Sequence, residues 1–426
     1  MRLKASILVC LACSLVLCSC NWFDTSAPAE ENSVLLFYGA GYNNLSSDIK
    51  NNVQTISEGD VPKYISKHKL LTYTHLSRTD SDWATPAEGH LVQHYFDHKG
   101  IRRTDTLMRV DASRSASDPE VLREVLEKVA SLFPDSKYGL IVSSHGTGWL
   151  PAGVYNKSMQ PLQFSAKRNG TAEDMPVYSY NESEGPKVKT IFAEVVKKNG
   201  VNYSQEMSIQ SFAKAIPVHL DYLIFDACLM GCVEVAYELK DKADYIGFSP
   251  TEVLSTGFNF SDLSMLVKDS PDPEAFCRSY FEMYDSRNSY ATISLVKTSG
   301  LDALAGVCSS LFAKYSGQIA SLTDMSGIQK YYRGSAHWFF DLEDILVKAG
   351  IGEEEHQQFL DALNSCVIYR AATPQFISID IATYSGLGMY LPRLGKSTTV
   401  TLPEGTVTLN DFYRTLAWNK ATNLVE

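Results

Sequence analysis

The stretch Tyr222-Leu223-Ile224-Phe225-Asp226-Ala227-Cys228-Leu229-Met230-Gly231 constrains this chain more than any other. Its first half is a short apolar run of aromatic and branched residues, the pattern of a buried strand, and its second half opens into a helical pattern from Cys232 to Asp241. Cys228 is thereby expected at a strand-to-helix turn, where the positive end of a helix dipole favours the thiolate, the nucleophilic form. Tyr138-Gly139-Leu140-Ile141-Val142-Ser143-Ser144-His145-Gly146 has the same form and ends on a histidine and a glycine. If the two runs are neighbouring parallel strands, His145 and Cys228 emerge together at the carboxyl edge of one sheet, where open α/β folds place their sites. Taken singly, such a cysteine is usually a small core residue and such a histidine a satisfied polar group. It is the pair, with a Gly146 N–H beside it to face an oxyanion, that points to nucleophilic catalysis.

The amino terminus is a targeting signal rather than part of the fold. Arg2 and Lys4 precede an apolar stretch from Ile7 to Leu17, too short to span a bilayer as a permanent helix, so residues 1–20 read as a signal peptide. The ending Leu17-Cys18-Ser19-Cys20 resembles the bacterial lipobox, in which Cys20 becomes the lipidated first residue; an ordinary secretory signal is the alternative. Residues 21–32 read as a flexible polar tether. The expectation is an exported chain, lipid-anchored at Cys20 to a bacterial membrane, the outer membrane on its periplasmic side or at the cell surface.

A net charge of −11 argues against nucleic-acid binding, which needs an excess of Lys and Arg. Beyond the signal, Cys228, Cys232, Cys277, Cys308 and Cys366 are widely spaced and odd in number, which is no disulfide framework and leaves a free thiol. Cys228 and Cys232 lack the CxxC partner or nearby histidine that would complete a metal set. His90, His94 and His98 would share one helix face, but Leu91-Val92 and Tyr95-Phe96 favour a pair of strands, which would hold the outer two roughly 26 Å apart. They are read as solvated histidines, not metal ligands.

In order, the pattern predicts a strand over 34–38, a helix over 44–56 and a strand over 69–76. An amphipathic helix over 118–133 follows, with Val121, Leu122, Val125, Leu126, Val129 and Leu132 on one stripe and Asp118 as its cap. A helix between two strands is the βαβ pattern of a parallel sheet. Residues 151–202 turn polar, with Lys157, Lys167-Arg168, Lys187, Lys189 and Lys197-Lys198, and read as a surface insertion. A short helix over 207–216 leads to the cysteine strand, followed by a strand over 245–248 and a loop over 249–260. Residues 264–426 alternate helices such as 273–284 and 301–316 with a strand over 290–296. An aromatic helix around Trp338-Phe339-Phe340-Asp341-Leu342, a hairpin over 399–409 and a closing helix over 411–418 complete it. The domain reading is a catalytic core over 33–263 and a smaller C-terminal α+β subdomain over 264–426 packed on it.

His145-Gly146 after an apolar strand, followed by Asp226-Ala227-Cys228-Leu229-Met230-Gly231, resembles the clostripain family of cysteine peptidases, relatives of the caspases, legumains, gingipains and separase. Leu35-Leu36-Phe37-Tyr38 leading to Asn43-Asn44-Leu45, Asp341-Leu342-Glu343-Asp344 and Gly386-Leu387-Gly388-Met389-Tyr390-Leu391-Pro392 extend the resemblance over nearly the whole mature chain. It implies a caspase-like α/β fold, a mainly parallel central sheet flanked by helices. It implies a peptidase acting on proteins or peptides, with Cys228 as nucleophile, His145 as general acid, and the N–H groups of Gly146 and Cys228 as oxyanion donors. Asp226 takes the position that in several relatives floors the pocket for the residue before the scissile bond and selects Arg or Lys. Relatives selective for basic residues often carry a second acid just before Gly257; here that position is Thr256. Many relatives are zymogens cleaved after a basic residue between histidine and cysteine, so the insertion is an expected processing site. Some bind calcium, for which no ligand set can be named here. Two alternatives share the dyad: a catalytically silent surface module that binds peptides or glycans, and a cysteine transpeptidase.

Overall fold

The structure is a computed structural model in which residues 32–79, 82–151, 177–179, 194–198, 201–323, 325–332, 338–402 and 405–426 are described. The signal peptide with Cys20, nearly all of the tether, and the insertion's Lys157, Lys167, Arg168, Lys187 and Lys189 lie outside the described residues.

The apolar runs become strands of one sheet. Strand β1 (Asn32–Gly41) is followed by helix α1 (Ser46–Glu58), β2 (His68–Thr79), β3 (Asp82–Pro86), β4 (Gly89–Phe96), β5 (Arg102–Val110), α2 (Pro119–Leu132) and β6 (Ser136–Ser143). After the three short strands β7 (Val177–Ser179), β8 (Glu194–Lys198) and β9 (Val201–Gln205) come α3 (Ile209–Ala215), β10 (Leu220–Asp226), α4 (Val233–Glu238), β11 (Ala243–Phe248), α5 (Pro273–Asp285) and β12 (Thr292–Lys297). The sheet then takes up β14 (Val367–Ala372), the two-residue β13 (Phe340–Asp341) pairing elsewhere. The sheet order is β14-β12-β11-β10-β6-β1-β2-β4-β5, with β3 on β2. Its centre, β11-β10-β6-β1-β2, is parallel, and antiparallel strands flank it on both sides.

Because alternate side chains face opposite ways, a strand covered on both sides must be apolar throughout. Leu36, Tyr38, Leu140, Val142, Leu223 and Phe225 pack with α2 on one face. Leu35, Phe37, Ile141, Tyr222 and Ile224 pack on the other against Ile49 and Ile56 of α1 and Phe276 and Tyr280 of α5. Asp118 caps α2 through the Glu120 N–H at 2.9 Å, as its sequence predicts, whereas Leu132 at the helix end is exposed.

Several expectations change. The segment expected as a smaller C-terminal subdomain packed on the core contributes β12 and β14 to the main sheet and shares its largest core cluster. The helix expected from Cys232 begins at Val233 and holds six residues, because Gly231 and Cys232 are drawn into pairing with Gly388. Cys228 therefore sits in a turn five residues ahead of that helix, so the helix dipole is not what acts on its thiol. The expected aromatic helix is extended at Phe340–Asp341 and turns helical only at Leu342, where the Asp341 side chain accepts the Asp344 N–H. The stretch 386–392 holds a strand only at Gly388–Met389, and the closing helix divides into Leu409–Tyr413 and Ala417–Thr422. Lys197 and Lys198, expected in a loop, lie in β8. No helix among the described residues is long and apolar enough to cross a membrane.

Candidate active site

The register of the parallel centre assembles the site. Asp226 of β10 is opposite Ser143 of β6, so Cys228 and His145 each lie two residues beyond a paired position, at the same end of adjacent strands. The two chain segments stay in contact past the strands. A Cβ built on Gly146 would lie 2.5 Å from the Cys228 carbonyl oxygen, closer than such atoms approach, so only glycine permits this apposition. Strand β1, on the other side of β6, delivers the turn Tyr42–Leu45 and the start of α1 to the same edge.

Cys228 is half-buried, and the other four described cysteines are buried. Burial pushes the thiols of Cys232, Cys277, Cys308 and Cys366 up, that of Cys366 to about 12, which keeps them neutral and inert. The Cys228 sulfur accepts the Val253 N–H at 3.4 Å and lies 3.7 Å from the Val253 carbonyl oxygen. The turn that presents it is strained. Leu229 adopts φ +59°, a left-handed backbone that costs a non-glycine residue about 1 kcal/mol or more. It is held there by 2.8 Å bonds from the Leu229 and Gly231 N–H groups to the Thr251 and Ser249 carbonyls.

His145 is buried, and its Nε2 lies 2.8 Å from Asn44 Oδ1. An amide oxygen can only accept, so this bond assigns the proton to Nε2 and leaves Nδ1 as the ring atom with a lone pair. Asn44 thus orients the histidine in the manner of the third member of a triad. The sequence placed Asn44 in a stretch that resembles the family but gave it no role, which appears only when the fold sets it beside His145.

Both residues open on a cavity of 540 Å³. Its walls include Asp226 and Ala227 of the cysteine segment, Leu254 and Ser255 of the following loop, and Asp48 and Asn52 of α1. Asp226 is buried, and the Ser143 hydroxyl donates to its Oδ2 at 2.7 Å. Burial pushes its carboxyl up to about 7, with the nearby Asp48 charge adding to the rise and the Ser143 bond opposing it. The loop 249–260 closes over Asp226 through Gly257, whose φ of +69° and position, with a virtual Cβ 2.9 Å from both Asp226 oxygens, exclude any side chain. Thr256 is exposed beside this turn and is not among the lining residues, whereas Leu254 and Ser255 are. Glu252 and Asp48 add two further carboxylates to the wall, and no Lys or Arg among the described residues lines it. Nor do the described residues hold a cluster of three or more His, Cys, Asp or Glu able to bind a metal ion.

A caspase-like α/β architecture with a thiol and an imidazole at adjacent strand ends defines the class. Residues 193–424 match the sequence profile of the clostripain family, a span that contains Asp226 and Cys228 and begins beyond His145. The chain belongs to the clostripain family of cysteine peptidases. Clostripain of Hathewaya histolytica is 22% identical over an alignment of 262 residues that covers 56% of this chain and 43% of that protein. The structure of an inactive zymogen protease of the family from Parabacteroides distasonis superposes with a TM-score of 0.69 and 27% identity, covering 93% of this chain and 99% of that one. A secreted cysteine protease of Bacteroides thetaiotaomicron, solved with an irreversible peptide inhibitor, shares the fold at a TM-score of 0.67 and 21% identity, over 93% of this chain and all of that one.

Proposed function

We propose that this protein is an exported, lipid-anchored cysteine endopeptidase that cuts peptide bonds after a basic residue. The observation that carries the reading is the register of β6 and β10. It brings His145 and the one half-buried cysteine among the described residues to the rim of a single cavity walled by carboxylates.

In this reading a substrate Arg or Lys enters the cavity and neutralises Asp226, which fixes the next carbonyl carbon beside the Cys228 sulfur. The thiolate attacks, and the N–H groups of Gly146 and Cys228 receive the oxyanion. His145, held through Nε2 by Asn44, takes up on Nδ1 the proton that the Cys228 thiol loses and delivers it to the leaving amine. Water then hydrolyses the thioester and frees the enzyme. The similarity to an inactive zymogen supports activation by cleavage within residues 151–202. The Leu17-Cys18-Ser19-Cys20 ending supports lipidation of Cys20.

The test is digestion of a peptide library by protein starting at Asn21, intact and after limited proteolysis, beside the Cys228→Ala variant. The expected result is cleavage after Arg or Lys that vanishes in the variant. If neither form cuts any peptide, a binding module replaces the enzyme; if products carry an added amine in place of water, the transpeptidase does. Mass measurement of the amino-terminal peptide from cells reads the acyl chain on Cys20.

A further inference from the structure

Thr256, just before Gly257, is exposed and does not line the cavity. Besides Asp226 the cavity is lined by two carboxylates, Glu252 of the loop that follows β11 and Asp48 of α1, a different element. Leu45, Asp48, Ile49 and Asn52 recur at helical spacing and form the wall that α1 presents to the cavity. The helix is fixed closely against the sheet: virtual Cβ atoms on Gly39 and Gly41 would lie 2.7 and 2.8 Å from the Ile49 side chain. Asp48, the neighbour of Ile49, is therefore held at a defined height above the strand ends.

Resting on the reading that this cavity receives a basic side chain, we propose that Asp48 is a second specificity-determining carboxylate, acting with Asp226 to select arginine over lysine. The two acids come from different elements, Asp226 buried at the end of β10 and Asp48 half-exposed in the first turn of α1. Asp48 makes no hydrogen bond or ion pair with any described residue, and the charge it acts on is that of Asp226. Two like charges facing one cavity repel each other when it is empty, and a cation between them removes that cost. Burial also pushes the Asp48 carboxyl up, although an acid in the first turn of a helix is ordinarily stabilised in its charged form. The cation chemistry follows from shape. An ammonium is a point charge that satisfies one carboxylate well, whereas the planar guanidinium carries five N–H donors in a fork that can reach two.

The experiment compares kcat/KM for peptide amides that differ only in Arg, Lys or norleucine before the scissile bond, using wild type, Asp48→Asn and Asp226→Asn. Expressing each result relative to norleucine cancels a general loss of activity. Asp48→Asn is expected to lower the Arg-to-Lys ratio about tenfold, whereas Asp226→Asn removes the preference for both basic residues. Agmatine, a free guanidinium, gives a readout that needs no turnover: it should raise the Tm of wild type and of an Asp48→Asn variant by clearly different amounts, more in wild type. An unchanged Arg-to-Lys ratio or equal agmatine shifts overturn the role of Asp48. Absence of any basic preference or agmatine shift in wild type overturns instead the reading of the cavity on which it rests.

Discussion

Replacing Asp226 by asparagine should stabilise the protein while removing its substrate preference. The buried carboxyl is pushed from its ordinary 3.8 to about 7. The folded chain thus holds this proton more tightly than the unfolded chain, and stability falls as pH rises from about 4 to about 7. At about 1.4 kcal/mol per pH unit, three units correspond to roughly 4 kcal/mol lost by pH 8, where the carboxylate is ionised in both states. An amide of the same shape avoids that cost and still accepts the Ser143 hydroxyl through its oxygen. With an unfolding entropy typical of a chain this long, the variant should melt roughly 5 °C above wild type at pH 8 and level with it near pH 4. The paired assay is kcat/KM for Arg against norleucine peptides. In wild type the ratio should fall about tenfold per pH unit below 7 as Asp226 is protonated, and in the variant it should be low and flat. A melting difference that does not grow between pH 5 and pH 8 would refute the placement of an ionisable, cation-seeking group on this floor. So would a variant that keeps the preference for Arg.

Asn44→Ala removes the partner of His145 Nε2 and should lower kcat about 10- to 100-fold with little change in KM, since the ring loses its orientation and the substrate pocket does not. Gly146→Ala forces a methyl into the Cys228 carbonyl and should abolish turnover in a folded protein, read from activity beside an unchanged far-ultraviolet circular dichroism spectrum. Glu194→Ala should destabilise the fold by about 3–5 kcal/mol. The buried Glu194 carboxylate accepts from His75 Nδ1, Ser115 Oγ and the N–H groups of Ala116 and Tyr42. Burial alone would lower the His75 pKa, but Glu194 outweighs it and the net shift is upward. The stabilising ion pair is therefore complete below pH 6.5 and is lost as pH rises through the raised value, so the deficit measured by thermal melting should be larger at pH 6 than at pH 9.

The sheet was legible because a parallel strand buried on both faces must be a continuous apolar run, and few other patterns look like one. The strands at residues 34–38 and 138–143 were readable on that ground, and α2 from its apolar stripe and Asp118 cap, whereas His94, expected to be solvated, is buried in the antiparallel pair. Short elements were not. The run Trp338–Leu342 is rich in aromatic residues, which favour strands, and pairing of Phe340 and Asp341 with Met389 and Gly388 makes it extended where a helix was expected. In the same way, contact with Gly388 takes residues from the expected start of the helix after Cys228.

Chemistry that resides in one residue type at the end of one strand was determined by the sequence itself: a thiol at 228, an imidazole at 145, a carboxyl at 226, each after an apolar run. What required the tertiary structure was everything defined by distance between segments. The Asn44 bond to His145 spans 101 positions of chain, and the cavity joins α1, β6, β10 and the loop 249–260. Local pattern reports which face of its own strand or helix a residue occupies. It carries no information on which other element lies opposite, because that is set by packing of the whole sheet. For this reason Asp48 reads as an ordinary polar residue in the sequence and as a wall of the cavity in the fold, and Asn44 acquires its bond to His145 only there.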